Sequence, residues 1–243
     1  MSHEPGSGDS TPSSVAPSIP GRAPRAKASP VATAQTLVDG LVELYREQIR
    51  RALSVELDDT ETALAFVDHH LSTAAQEDRA PILSLLSSSA GVYYGELVRR
   101  LIGGTWIGDG TDPRRLRMLM KYQFIYFSPV DQAMEAIAGK SLELDDPRLA
   151  DAEQFDPAFR LRPLPEPPEV AGADHDTLWL TERLSELPQV PENQLVSLTC
   201  RFETLKLMHE FLATKHASEG RSPVELGVSD YLATMAAEAR RAD

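Results

Sequence analysis

Gly91 and Gly95, one turn apart inside an apolar helical stripe, constrain this chain more than any other feature. The stripe runs through Leu85, Leu86, Tyr93, Leu97 and Leu101, and in a helix interior each glycine costs about 1 kcal/mol relative to alanine. A cost of that kind is offset where another backbone comes close, so the pair predicts the tightest packing in the core. A ligand-binding notch is the alternative reading.

The residues after the notch are ordered as a local folding unit. Gly103-Gly104 stops the helix; Thr105-Trp106-Ile107 and Leu116 to Met120 read as strands joined across the turn formers Gly108 to Pro113; Tyr122 to Phe127 is a third β-prone run. Ser128 as N-cap, Pro129 at the first helical position and Asp131 three residues on then start a helix that ends near Gly139. The fold class expected is α+β: a helix-rich single domain with a small antiparallel sheet of two or three strands.

Segment Gly91–Gly139 resembles uncharacterised bacterial α+β domains in which a Gly-x-x-x-Gly-Glu helix precedes a Gly-x-x-Trp strand, here Gly91 to Glu96 and Gly103 to Trp106. The resemblance implies a fold and brings no catalytic residue with it.

The flanks divide the chain further. Residues 1–31 are rich in Ser, Pro, Gly and Ala and predict a disordered arm, with Arg22, Arg25 and Lys27 as a short basic docking segment or simply a solvated tail. Residues 32–140 form the expected α+β core. Its first helix carries Val38, Leu41, Val42, Tyr45, Ile49, Ala52 and Leu53 on one face. Asp58 with Glu61 has the spacing of a capping box ahead of Leu64, Val67 and Leu71, and Asp78 ahead of Pro81 begins the glycine-notched helix. Residues 141–191 hold eight prolines, so they predict an irregular linker or strap, and Phe155, Phe159, Leu161 and Trp179 favour a strap laid on the surface. Residues 192–243 predict C-terminal helices: one striped by Leu195, Leu198, Phe202, Leu205, Met208 and Leu212, and one begun by Ser222-Pro223-Val224-Glu225, with Val228, Leu232 and Met235 facing inward.

Charge limits the partners. A formal net charge of −13 argues against nucleic acid, because phosphate backbones reward Lys and Arg and are repelled by an acidic field. No apolar run approaches the roughly 18 residues of a membrane span, and nothing near Met1 resembles a signal peptide. Cys200, the single cysteine, forms no intramolecular disulfide and suits a reducing compartment. A cytoplasmic protein is expected.

No motif dictates a reaction. His69-His70 point about 100° apart on a helix and do not face one metal as an i,i+4 pair would. His209 and His216 lie seven residues apart, too far for one ligand sphere, and Asp174-His175-Asp176 is flanked by glycine and proline. Ser87, Ser88 and Ser89 lack the strand–turn–helix setting of a nucleophile, Cys200 reads as a packing residue, and no phosphate-cradling glycine loop occurs. No cofactor, metal or catalytic residue is therefore expected. Glu96 is the carboxylate most in need of a partner, with Arg99 and Arg100 in reach.

The remaining signal is a charge contrast. Arg99, Arg100, Arg114, Arg115, Arg117 and Lys121 form a basic edge, while residues 141–190 carry twelve acidic and four basic side chains. Either the acidic strap folds onto that edge, or the edge binds an acidic protein surface. The function expected is a non-catalytic cytoplasmic regulatory or adaptor protein acting on a protein partner, for which a small GTPase is one conceivable identity. The alternatives are an enzyme whose site combines Glu96, His69 and the basic edge, and a toxin-neutralising immunity protein.

Overall fold

The computed structural model describes residues 30–149, 155–162 and 176–242. The expected arm lies outside the described residues except for Pro30 and Val31, which open the first helix. The fold is α+β and helix-rich, with one small antiparallel sheet.

Helices α1 (Pro30–Leu53), α2 (Ala63–Thr73) and α3 (Ala80–Val98) precede a single π turn at Arg99–Gly103. The hairpin strands β1 (Gly104–Ile107) and β2 (Arg117–Met120) and strand β3 (Ile125–Phe127) then lead into α4 (Pro129–Ala138). Strand β4 (Arg160–Leu161) and helices α5 (Asp176–Ser185), α6 (Glu192–Leu195), α7 (Leu198–Ser218) and α8 (Val228–Ala242) come after it.

Helix α3 is the central element. From Leu86 to Val98 every residue is buried, serines and Glu96 included, as a helix must be when neighbours enclose it on all sides. The glycine notch is where α4 comes in: a Cβ on Gly91 would lie 2.7 Å from the Cα of Val130, and one on Gly95 would lie 3.0 Å from Cγ of Pro129. Close backbone approach is thus the structural use of Gly91, while Gly95 makes room for side chains, the Trp106 ring and Pro129.

The sheet order is β1-β2-β3-β4, with Thr105 opposite Leu119, Met118 opposite Phe127 and Ile125 opposite Leu161. Side chains alternate between two covered faces. Trp106, Met118, Met120, Ile125 and Phe127 enter the main core, while Ile107 and Leu119 join Phe124 and Tyr231 in a smaller cluster under α8. Burial on both faces is why these strands read as continuous apolar runs.

Four expectations need correction. The sheet has four strands rather than two or three, since two residues of the strap pair with β3, too short a run to leave a period in the sequence. Asp58 caps no helix: its Oδ1 accepts from the amide and hydroxyl of Thr60 (3.1 and 2.6 Å), and α2 starts later, at Ala63. Arg79, not Asp78, precedes α3. Ser222 to Glu225 is not helical either, because Leu226 N–H donates to the Lys121 carbonyl (2.8 Å) and Glu225 pairs with Lys121, so α8 waits until Val228.

The Ser128 cap is as expected, its hydroxyl oxygen accepting from Asp131 N–H, and Gly139 ends α4 in the left-handed region at φ 65°. Among the described residues, no helix is long and apolar enough to cross a membrane.

Candidate functional site

The six cations of the predicted edge do not form one patch. Arg99 and Arg100 leave the π turn at one end of the β1–β2 hairpin and both reach Glu96: Arg99 Nε and Nη2 donate at 2.8 Å, and so does Arg100 Nε. Arg100 also holds Asp59. Arg114, Arg115 and Arg117 sit at the opposite end, where Arg115 pairs with Asp109 and Asp112 and Arg117 donates to the carbonyls of Arg114 (2.6 Å) and Leu116 (2.9 Å). Lys121 pairs with Glu225 at 3.1 Å and lies over the Tyr122 ring. Strand β2 separates the two groups, roughly 3.3 Å per residue along its length.

Glu96 and His69 are not brought together. Glu96 is 5% exposed and its oxygens take Arg99, Arg100 and the indole N–H of Trp106 (3.2 Å). Burial alone would raise its carboxyl, and the two guanidiniums and the indole outweigh that and hold it below the usual range. His69 is exposed on α2, whereas its neighbour His70 turns inward to Tyr45 Oη (3.3 Å).

The strap docks on α4 and α7. Gln132 Nε2 and Arg201 Nη1 both donate to the Pro157 carbonyl (2.9 and 3.0 Å), Asp131 Oδ2 accepts from Asp156 N–H (3.0 Å), and Arg201 also pairs with Glu135. Phe155, Phe159 and Leu161 pack on the main core, Phe159 edge-on to Phe127 at 5.0 Å. The aromatic residues of the strap therefore act as anchors. Trp179, read from sequence as part of the same irregular stretch, belongs to α5 and meets Phe211 of α7.

The feature that sequence reasoning missed lies beside β4. A cleft of about 730 Å³ opens between the β3–β4 end of the sheet, one face of α7 and the segment from Arg221 to Leu226. Leu161, Leu212, Ala213, Ala217 and Leu226 line it, and Tyr122 and Val224 stand at it exposed. Both α7 histidines line it too. His216 Nε2 meets Asp176 Oδ2 at 2.9 Å, and Asp176 also binds Lys215 (3.0 Å) and Arg221 (3.3 Å). His209 Nε2 is buried without a hydrogen-bond partner among the described residues, and burial lowers its pKa, disfavouring the charged ring.

Asp174 and His175, disfavoured above as metal ligands, lie outside the described residues, and Asp176 ties α5 to α7. Among the described residues, no group of three or more metal-ligating side chains converges. Such a cleft, apolar with a few polar groups at fixed positions, has the make-up of a ligand-holding site. The sequence signal that could have located it is the seven-residue spacing of His209 and His216, which places both on one face of α7.

Comparison of the chain with protein-family models, with curated proteins and with solved structures finds no match.

Proposed function

We propose that this chain is a non-catalytic regulatory or adaptor protein of the cytoplasm that acts by holding a segment of a partner protein. The observation that carries the reading is the cleft beside β4, whose apolar lining continues into the exposed Tyr122 and Val224. Exposed apolar surface that continues into a concave floor is characteristic of interaction sites. Tyr122 supplies the rigid amphipathic contact that such sites favour. The split basic edge is a weaker candidate, since Arg99, Arg100, Arg115 and Lys121 already have carboxylate partners.

Two variant sets separate the surfaces. Ala213→Trp and Ala217→Trp fill the cleft from exposed positions on α7, and Arg114→Glu, Arg115→Glu and Arg117→Glu reverse the hairpin end of the edge. Proteins co-purifying with the wild type should be lost from the tryptophan variants and kept by the glutamate variant, with native circular dichroism throughout. The opposite pattern would move the interface to the edge.

A further inference from the structure

Resting on the reading of the cleft as a partner site, we propose that the segment it receives carries a carboxylate set between large apolar side chains, and that Arg162 is the residue that recognises the acid.

Most charges at the cleft are already matched. Arg221 pairs with Asp176 and Glu219, and the buried Lys215 pairs with the same two carboxylates at 3.0 and 2.9 Å. Asp176 is the only carboxylate among the lining residues described, and it meets Lys215, His216 and Arg221. Arg162 differs from these cations. Its guanidinium lies over the Phe124 ring, 4.8 Å from the centroid, and no carboxylate of the described residues pairs with it. A guanidinium held over a ring face keeps its N–H donors available at its edges, and such a fork can receive a carboxylate with two parallel hydrogen bonds.

His209 supplies a second, independent pointer. His209 lines the same cleft, and its Nε2 is buried with no hydrogen-bond partner among the described residues, an arrangement that is costly to leave unsatisfied. A ligand oxygen or N–H at that position recovers the loss. Arg162 over its ring and the His209 imidazole on α7 are thus polar groups of a cleft whose walls include Leu161, Leu212 and Leu226. An acidic residue between apolar ones matches that sequence of surfaces. In a protein of net charge −13, acids are repelled at long range, so the match is a local source of specificity.

The test displays random dodecapeptides against the full chain, its Ala213→Trp variant and its Arg162→Gln variant. Wild type should enrich sequences with Asp or Glu flanked by large apolar residues. Arg162→Gln should keep the apolar preference and lose the acidic one, and should bind the best acidic peptide at least about tenfold more weakly, the cost of one charged anchor. Enrichment of apolar peptides without an acid, or an acidic preference that survives Arg162→Gln, overturns the role of Arg162 and leaves the cleft as a binding site. Failure of the wild type to enrich anything over Ala213→Trp overturns the partner-binding reading itself.

Discussion

The six-membered ring of Trp106 fills the space that a Cβ on Gly95 would need: such an atom would stand 2.5 Å from Trp106 Cζ2. The same indole donates to Glu96, the residue after Gly95, so strand β1 and helix α3 are locked at one point by shape and by a hydrogen bond.

Gly95→Ala should therefore destabilise the protein although alanine is the better helix former. The propensity gain of about 1 kcal/mol is smaller than the overpacking cost of about 1–3 kcal/mol, because the bulky indole is itself fully buried and Pro129 closes the other side. Gly95→Leu should be worse. Gly40 is the internal control: it is exposed within α1, with nothing within 4 Å of a built Cβ. Gly40→Ala should stabilise by about 0.5–1 kcal/mol. Thermal unfolding of the two alanine variants checks the pair, and shifts of the same sign would sink the close-approach account of Gly95.

Tyr231 offers the second test. Its hydroxyl donates to the Met120 carbonyl (2.7 Å), lies 2.9 Å from that of Gln123 and accepts from Ile125 N–H (3.3 Å), while its ring stacks on Phe124 at 4.3 Å. One residue thus fastens α8 over the β2–β3 turn that carries Tyr122 to the cleft. Tyr231→Phe keeps the stacking and removes the hydroxyl's donation to the buried Met120 carbonyl, while Ile125 N–H retains the Gln123 carbonyl (2.7 Å), costing about 1 kcal/mol. Urea denaturation should record that loss. Hydrogen exchange should report faster opening at Ile125, and unchanged exchange there would mean that the ring alone does the fastening.

These contacts mark where the sequence was legible and where it was not. Helices α1, α3 and α7 announce themselves by stripes, the Ser128 and Gly139 caps come from local stereochemistry, and the Gly91–Gly95 notch is legible as two costly helix-interior glycines although what fills it, Trp106, Pro129 and Val130, comes from other elements. Strand β4 could not be read, because two residues acquire their strand geometry from Phe159 and Leu161 packing on a distant core. Nor could Asp68, which accepts from Leu198 and Thr199 N–H (2.8 and 3.0 Å) and starts α7 from 130 residues away. In the terminal helix Val228 and Met235 pack inward as expected, and Leu232 does not. Leu232 is exposed and Tyr231 buried, since the partner surface is a turn rather than an apolar stripe. The cleft collects residues from 122 to 226, and no local pattern encodes such an assembly.

Two buried carboxylates should respond to pH with opposite signs. Glu96, held below its ordinary 4.5, favours the folded state once ionised; that contribution is present above pH 4.5 and is lost as pH falls through the lower folded value. Glu96→Gln removes it and leaves Arg99 and Arg100 without their shared negative charge, Arg100 keeping Asp59. Breaking a fully buried pair costs about 3–5 kcal/mol, but both arginines are more than a third exposed, so about 2 kcal/mol is expected at pH 7 after solvent screening. Asp131 runs the other way. Burial raises its carboxyl above 3.8, against the opposing pull of Asp156 N–H and Arg117, so ionisation opposes folding: the stability tied to the protonated form is full below pH 3.8 and disappears as pH rises through the folded value. Asp131→Asn keeps an oxygen for Asp156 N–H and removes the buried charge, so its melting temperature should match or exceed that of the wild type at pH 7 and lose that advantage in acid. Melting curves of both variants from pH 3 to 8 decide the matter: a Glu96→Gln deficit that does not shrink in acid, or an Asp131→Asn loss at pH 7, would show that hydrogen-bond geometry rather than charge governs these two sites.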